Sequence, residues 1–91
     1  MKKVSVIIPC YNQSEYIEEA ILSVVNQTYP NIEIICIDDC SSDNSAQIIK
    51  SLVEQYKNIV FLSNIENVGV VKSRNKAVGV STGQYILPLD G

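Results

Sequence analysis

The chain has 91 residues, of which 46% are hydrophobic and 19% charged, and a formal net charge of −3. That length permits one modest core, hence a single domain over residues 1–91, and the apolar fraction excludes a disordered chain. The acidic balance leaves no basic stripe, so nucleic acid is not an expected partner, and no apolar stretch approaches the roughly 20 residues of a transmembrane span.

The opening "MKKVSVIIPCYN" imitates a secretory leader, with two lysines and an apolar run. That run is only about six residues long and has no small-residue cleavage site, so it reads as a first strand in a cytoplasmic protein. "VSVIIP", Val4 to Pro9, is near-continuously β-branched, as suits a strand covered on both faces, and Pro9 is expected to end it. Ser14 is a candidate cap for a helix in which Ile17, Ala20, Ile21, Val24 and Val25 share one face. Glu15, Glu18 and Glu19 lie near the positive end of its dipole, and Tyr29–Pro30 closes it.

"IEIICID", Ile32 to Asp38, is the second strand, and "DCSSDNS" is a turn-rich loop leading into a second helix. Ala46, Ile49, Leu52, Val53 and Tyr56 repeat there at helical spacing. "NIVFLS" forms a third strand and "NIENVG" a loop. A third helix is expected over about Val70 to Val80, with Val70, Val71, Ala77 and Val78 as its apolar side. "STG" turns the chain into a fourth strand, "QYILPL".

Strands alternating with helices imply right-handed βαβ units, so the fold class is α/β, a doubly wound parallel sheet of Rossmann-like type. Its size is that of a mononucleotide-binding half. In such sheets the first strand is central and the fourth lies beside it. The fourth would then present an unpaired apolar edge, open to strand addition or self-association.

Three cysteines, Cys10, Cys36 and Cys40, include no CxxC pair, and there is no histidine. Neither a disulfide framework nor a structural zinc site nor a histidine-based triad fits that inventory. Ligands of open α/β sheets bind beyond the carboxyl ends of the strands. There the sequence puts Pro9, Cys10, Tyr11 and Asn12, then Asp38 to Ser41, then Asn67 and Gly69, and finally Asp90 and Gly91. Asp38 and Asp39 repel each other unless partners accept them. One can cap the loop through backbone N–H groups, which leaves the other to accept from a base N–H or a ribose hydroxyl. The Tyr11 ring can lie against a base, and Arg74 offers a fork of donors to phosphate. A glycine-rich dinucleotide turn is absent, because the first strand is followed by "PCYNQSEY", and so is a P-loop lysine motif.

"VSVIIPCYN", "LSVVNQTYPNIEIICIDDCSSDNS" and "NVGVVKSRNKAVGVSTGQYILPLDG", in this order and spacing, resemble the amino-terminal half of a family 2 glycosyltransferase with the GT-A fold. The resemblance covers essentially the whole chain. It implies that Pro9 to Tyr11 border the base and ribose of a nucleotide-sugar donor, and that Asp39 accepts the uracil N–H of a UDP-sugar. It further implies that Asp38 supports the loop and that Arg74 lies near the nucleotide. Asp90 would be the first acid of a D-x-D motif that holds Mg2+ or Mn2+ against the diphosphate. The family pattern puts a second acid directly after Gly91, and an acceptor site with a catalytic base for inverting transfer in a following half. The expectation is therefore a donor-binding part that is inactive by itself, in a pathway of cell-surface polysaccharide synthesis.

Overall fold

A computed structural model describes residues 2–27 and 31–89. Seven elements follow in the order β1 (Val4–Cys10), α1 (Ile17–Val25), β2 (Ile32–Asp38), α2 (Ser45–Gln55), β3 (Ile59–Ser63), α3 (Val70–Val80) and β4 (Tyr85–Pro88). The four strands form one parallel sheet in the order β3-β2-β1-β4, so β1 is interior and β4 lies beside it, as the alternating pattern implies.

The sheet divides the core in two because side chains alternate across a strand. On one face Val6 and Ile8 of β1 and Ile34 and Cys36 of β2 pack against Ile17 and Ile21 of α1 and Ile49 and Leu52 of α2. On the other face Ile7, Ile35 and Ile37 pack against Ala77 of α3. β1 and β2 are thus covered on both sides, which accounts for their unbroken apolar runs.

Three local expectations differ from what the structure contains. β1 runs one residue past Pro9, to Cys10. The Cys10 carbonyl accepts the Asp39 N–H on the β2 side at 2.8 Å, whereas Pro9 alternates to the β4 side, where pairing has already stopped at Ile7 and Pro88. The missing N–H of Pro9 therefore breaks no bond of the β1–β2 ladder. Ser14 does not cap α1: the residue before the helix is Tyr16, no side chain caps it, and the Gln13 carbonyl accepts the N–H groups of Tyr16 and Ile17.

The third difference concerns α3. Its buried residues are Ser73 and Ala77, while Val70, Val71 and Val78 are 51%, 63% and 39% exposed. Val71 and Val78 lie roughly a quarter to a third of a turn round the helix from Ala77. Small side chains four residues apart let α3 settle close over Ile7, Ile35 and Ile37, and that closeness selects the face more strongly than hydrophobicity does. Accordingly, Ala77→Leu should cost about 1–3 kcal/mol by overpacking, whereas Val71→Ala should stay within about 0.5 kcal/mol of the parent. Urea denaturation of both variants checks this, and a larger loss for Val71→Ala would contradict the assignment of the face.

Candidate active site

The carboxyl edge of the sheet holds a cleft of about 430 Å³. Pro9, Cys10, Tyr11 and Gln13 line it from the end of β1, Asp39 from the end of β2, and Asn67, Gly69, Val70 and Arg74 from the start of α3. Four of the six expected site residues, Pro9, Tyr11, Asp39 and Arg74, meet there. Asp38 is not in its wall, and Asp90 lies outside the described residues.

The two adjacent acids at the end of β2 take different tasks. Asp38, 3% exposed, turns its carboxylate onto its own loop: Oδ1 accepts the Ser41 hydroxyl, and Oδ2 the Ser41 N–H at 3.0 Å. Asp39, 4% exposed, reaches across to the segment between β3 and α3. Its Oδ1 accepts Asn64 Nδ2 at 2.9 Å and the Val68 N–H at 2.8 Å, and its Oδ2 accepts the Gly69 N–H at 2.8 Å. A carboxylate has about four lone-pair positions, and these bonds take two on Oδ1 and one on Oδ2. Burial works against ionisation of Asp39, but the bonds from Val68, Asn64 and Gly69, together with the Ser73 hydroxyl, outweigh it and hold the carboxyl below its usual range.

Gly69 makes this geometry possible. It precedes α3 with φ 94° and ψ 159°, a combination essentially restricted to glycine. The Asn64 amide donates to Ser73 Oγ as well, at 2.9 Å, so the one polar residue in the α3–sheet contact is satisfied.

A second set of bonds ties the loop after β1 to the loop after β2. Asn12, at φ 51°, accepts the Ser42 N–H at 2.8 Å and donates its own N–H to Ser41 Oγ at 2.9 Å. The Gln13 N–H donates to Ser45 Oγ and the Ser14 N–H to Asp43 Oδ2. The Ser45 hydroxyl is the chief reason why the exposed Asp43 carboxyl lies as low as about 2. Three strand-end loops are thereby locked into one frame around the cleft.

On this frame the Tyr11 ring is 50% exposed, a flat surface free to meet a planar ligand. Arg74 sits one turn into α3, half-buried, and lines the same cleft. Burial pushes the Cys10 thiol up, partly offset by the Ser45 hydroxyl, and lifts Cys36 to about 12; both side chains are buried in the core.

Among the described residues no three ligating side chains are grouped to hold a metal. Asp38 and Asp39 spend their oxygens on loop donors. Asp90, the acid expected to hold a divalent cation, lies outside the described residues.

Sequence reasoning did not single out Gln13, Asn64 or Ser73. Their signal is weak, because each acquires its role only through contacts with residues distant in the chain. Gln13 Oε1 is buried without a hydrogen-bond partner among the described residues, at the cleft wall.

The model of Glycosyl transferase family 2 matches residues 5–91. The poly(ribitol-phosphate) beta-glucosyltransferase of Bacillus spizizenii is 41% identical over 97% of this chain and 14% of that protein. A putative teichuronic acid biosynthesis glycosyltransferase of Bacillus subtilis is 39% identical over 96% of this chain and 34% of its own length. Among solved structures, S. aureus TarS 1-349 in complex with UDP superposes with a TM-score of 0.88 at 34% identity, over 97% of this chain and 27% of that one. A mannosyltransferase from Pyrobaculum calidifontis, in complex with GDP-Man and Mn2+, gives a TM-score of 0.92 at 26% identity, over 98% and 27%. The fold is thus that of the GT-A glycosyltransferases. The chain spans between 12% and 36% of the length of the curated relatives it matches.

Because the folded state holds the Asp39 carboxyl below its unfolded value of about 3.9, its bonds contribute fully above that pH and are lost as the pH falls through the lower folded value. Amide exchange at Val68 and Gly69 should therefore accelerate selectively below about pH 4, with Ile35 and Ile37 still protected. Exchange at Val68 and Gly69 that tracked β2 at every pH would contradict this.

Proposed function

The chain belongs to glycosyl transferase family 2, and from that premise we propose that it forms the nucleotide-sugar donor site of such an enzyme, with a UDP-sugar as donor. The observation that carries this reading is the cleft lined together by the exposed Tyr11 and the buried Asp39, whose carboxylate is fixed in place by its loop donors. Tyr11 supplies the stacking surface, Pro9 the adjoining edge, and Asp39 Oδ2 the acceptor for the uracil N–H. Arg74 lies where it can meet the diphosphate, its charged fork suited to phosphate oxygens. Neighbours bound to UDP, UDP-GlcNAc and GDP-Man support the donor class.

Asp90 is the residue that would hold a divalent cation, Mg2+ or Mn2+, together with the diphosphate. When bound, such an ion neutralises the charge that develops on the leaving nucleoside diphosphate. The manganese complex of the Pyrobaculum relative supports that role. In this reading Asp39 fixes the base and Tyr11 the ring plane, so the sugar carbon is presented in one orientation to an acceptor hydroxyl for inverting transfer.

Acceptor binding and the base that deprotonates the acceptor are assigned to parts of the longer relatives that these 91 residues do not match, so the segment alone binds donor without turnover. The relatives named for wall-polymer transferases favour a cell-surface polysaccharide as the product. The cysteines are free, which accords with work at the cytoplasmic side.

Removing Asp39 would confuse base reading with loop support, because the same carboxylate holds Val68 and Gly69. Calorimetric titration of the chain with UDP and with UDP methylated at the uracil N–H separates the two roles. The methylated ligand should bind about tenfold or more weakly, having lost a charge-assisted hydrogen bond; equal affinity would remove Asp39 as the base reader.

A second reading concerns association. All four residues of β4 are exposed, with Tyr85 at 52% and Leu87 at 55%, and its outer edge pairs with no strand among the described residues. This favours self-association through β4, which light scattering across a concentration series should report as a rising mass. A constant monomer mass at high concentration would exclude it.

A further inference from the structure

The donors that hold the Asp39 carboxylate are of unequal standing. The Val68 and Gly69 N–H groups belong to the segment that Asp39 itself draws in between β3 and α3. Asn64 is anchored independently. It follows directly on β3, and its N–H donates to the Asp38 carbonyl at 2.9 Å, which carries the β2–β3 ladder one step past the Asp38–Ser63 pair. Its side chain therefore ties Asp39 to the sheet and not to a loop.

Both ends of that side-chain amide are engaged. Nδ2 donates to Asp39 Oδ1 and to Ser73 Oγ, each at 2.9 Å. Oδ1 accepts Lys76 Nζ at 3.1 Å, and the same ammonium reaches the Ser63 carbonyl at 3.4 Å. Ser73 and Lys76 are neighbours across one turn of α3, so a single stretch of helix meets both ends of the amide. An amide turned end for end would set its oxygen against a carboxylate and its N–H groups against an ammonium. Carboxylate and lysine thus select the same orientation, the one that gives Asp39 a donor. Accepting from an ammonium also polarises the amide, which strengthens the bonds that its N–H groups donate.

We propose that Asn64 and Lys76 are a positioning pair for Asp39: the lysine, from outside the cleft, orients and polarises the Asn64 amide, which fixes the carboxylate that meets the base of the donor. The pairing rests on the reading of Asp39 as the residue that accepts from the uracil. Neither Asn64 nor Lys76 lines the cleft, so each acts on a bound nucleotide through Asp39. Lys76 is exposed, and its ammonium can be removed without opening the core. That removal leaves Asp39 its bonds to Val68 and Gly69 but loosens the one that refers it to the sheet.

The test follows the Asp39 carboxyl carbon by NMR through a pH titration, and measures affinity by calorimetry for UDP and for UDP methylated at the uracil N–H. Lys76→Met should raise the Asp39 midpoint and weaken UDP binding about threefold. The methylated ligand, which gives Asp39 no proton, should show no such loss. Lys76→Arg should restore both values, since it keeps a charged donor. Lys72→Met removes an equal charge from an exposed position of the same helix that makes no bond to Asn64, and should change neither. Asn64→Ala should act in the same direction as Lys76→Met and weaken UDP binding about tenfold; should it not fold, the lysine variants decide. An equal loss for both ligands in Lys76→Met would overturn the proposal, because a purely structural role predicts it. So would an unmoved Asp39 midpoint in that variant, or an equal shift in Lys72→Met. If the parent binds the two ligands alike, or neither, the base-reading role of Asp39 falls and the effect on the donor with it. The Asp39 midpoints then still decide whether Asn64 and Lys76 hold the carboxylate.

Discussion

An ionised carboxylate cannot be buried without donors, and the Asp39 carboxylate, 4% exposed, organises the carboxyl edge of this sheet by meeting that requirement. Its donors come from Asn64, Val68 and Gly69, all on the far side of β3 in sequence. Satisfying one acid thus joins the end of β2 to the start of α3. Hydrogen bonds to a charged group contribute about 1.5–3 kcal/mol each, and a domain of this size has only about 5–14 kcal/mol in total. The bonds of Asp39 are therefore a substantial part of what keeps α3 in place. The same donors hold the carboxyl ionised across the ordinary pH range.

The fold concentrates polar bonding at its two poles and leaves the middle to aliphatic packing. At the carboxyl pole, Asn12, Asp38, Asp39 and Asp43 lace three loops together. At the amino pole, Glu33 and Ser5 hold the last turn. Between them Ile7, Ile8, Ile34, Ile35 and Ile37 have no exposed surface to speak of. Side chains at both ends are held by hydrogen bonds of defined length rather than by non-directional burial, which is what a binding edge requires if it is to present fixed atoms to a ligand.

Much of this was legible in the sequence, because the features concerned are local. The order of elements, the central place of β1 and the adjacent β4 follow from alternating strand and helix patterns. The division of labour between Asp38 and Asp39 could be posed from their adjacency alone. What could not be read depends on distance in the chain. Nothing near Asp39 in sequence reveals that Val68 and Gly69 will donate to it. Pro9 looked like a strand end because the direction of its missing donor is known only once β1 has neighbours on both sides. The apolar face of α3 was drawn through its valines, yet helix-to-sheet closeness favoured Ser73 and Ala77. Glu33, inside a run that reads as a buried strand, carried no visible sign of the turn it fastens.

The exposed valines of α3 and the four residues of β4 belong to one physical account. A strand reading Tyr-Ile-Leu-Pro is apolar on both faces, the pattern of an interior strand, but α1 and α3 leave it uncovered. The apolar groove between α1 and β4, floored by Val4, Val6 and Leu87, lies on one side of it, and Val71 and Val78 face outward from the helix on the other. The curated relatives devote most of their length to segments this chain does not match. A surface of this composition is costly to leave in water, and covering it would immobilise β4 from both sides. Among the described residues that restraint comes from the β1 ladder, from the bonds of Glu33 and Ser5 to the α3–β4 turn, and from Lys2 against the Tyr85 ring, so the placement of β4 depends largely on polar atoms.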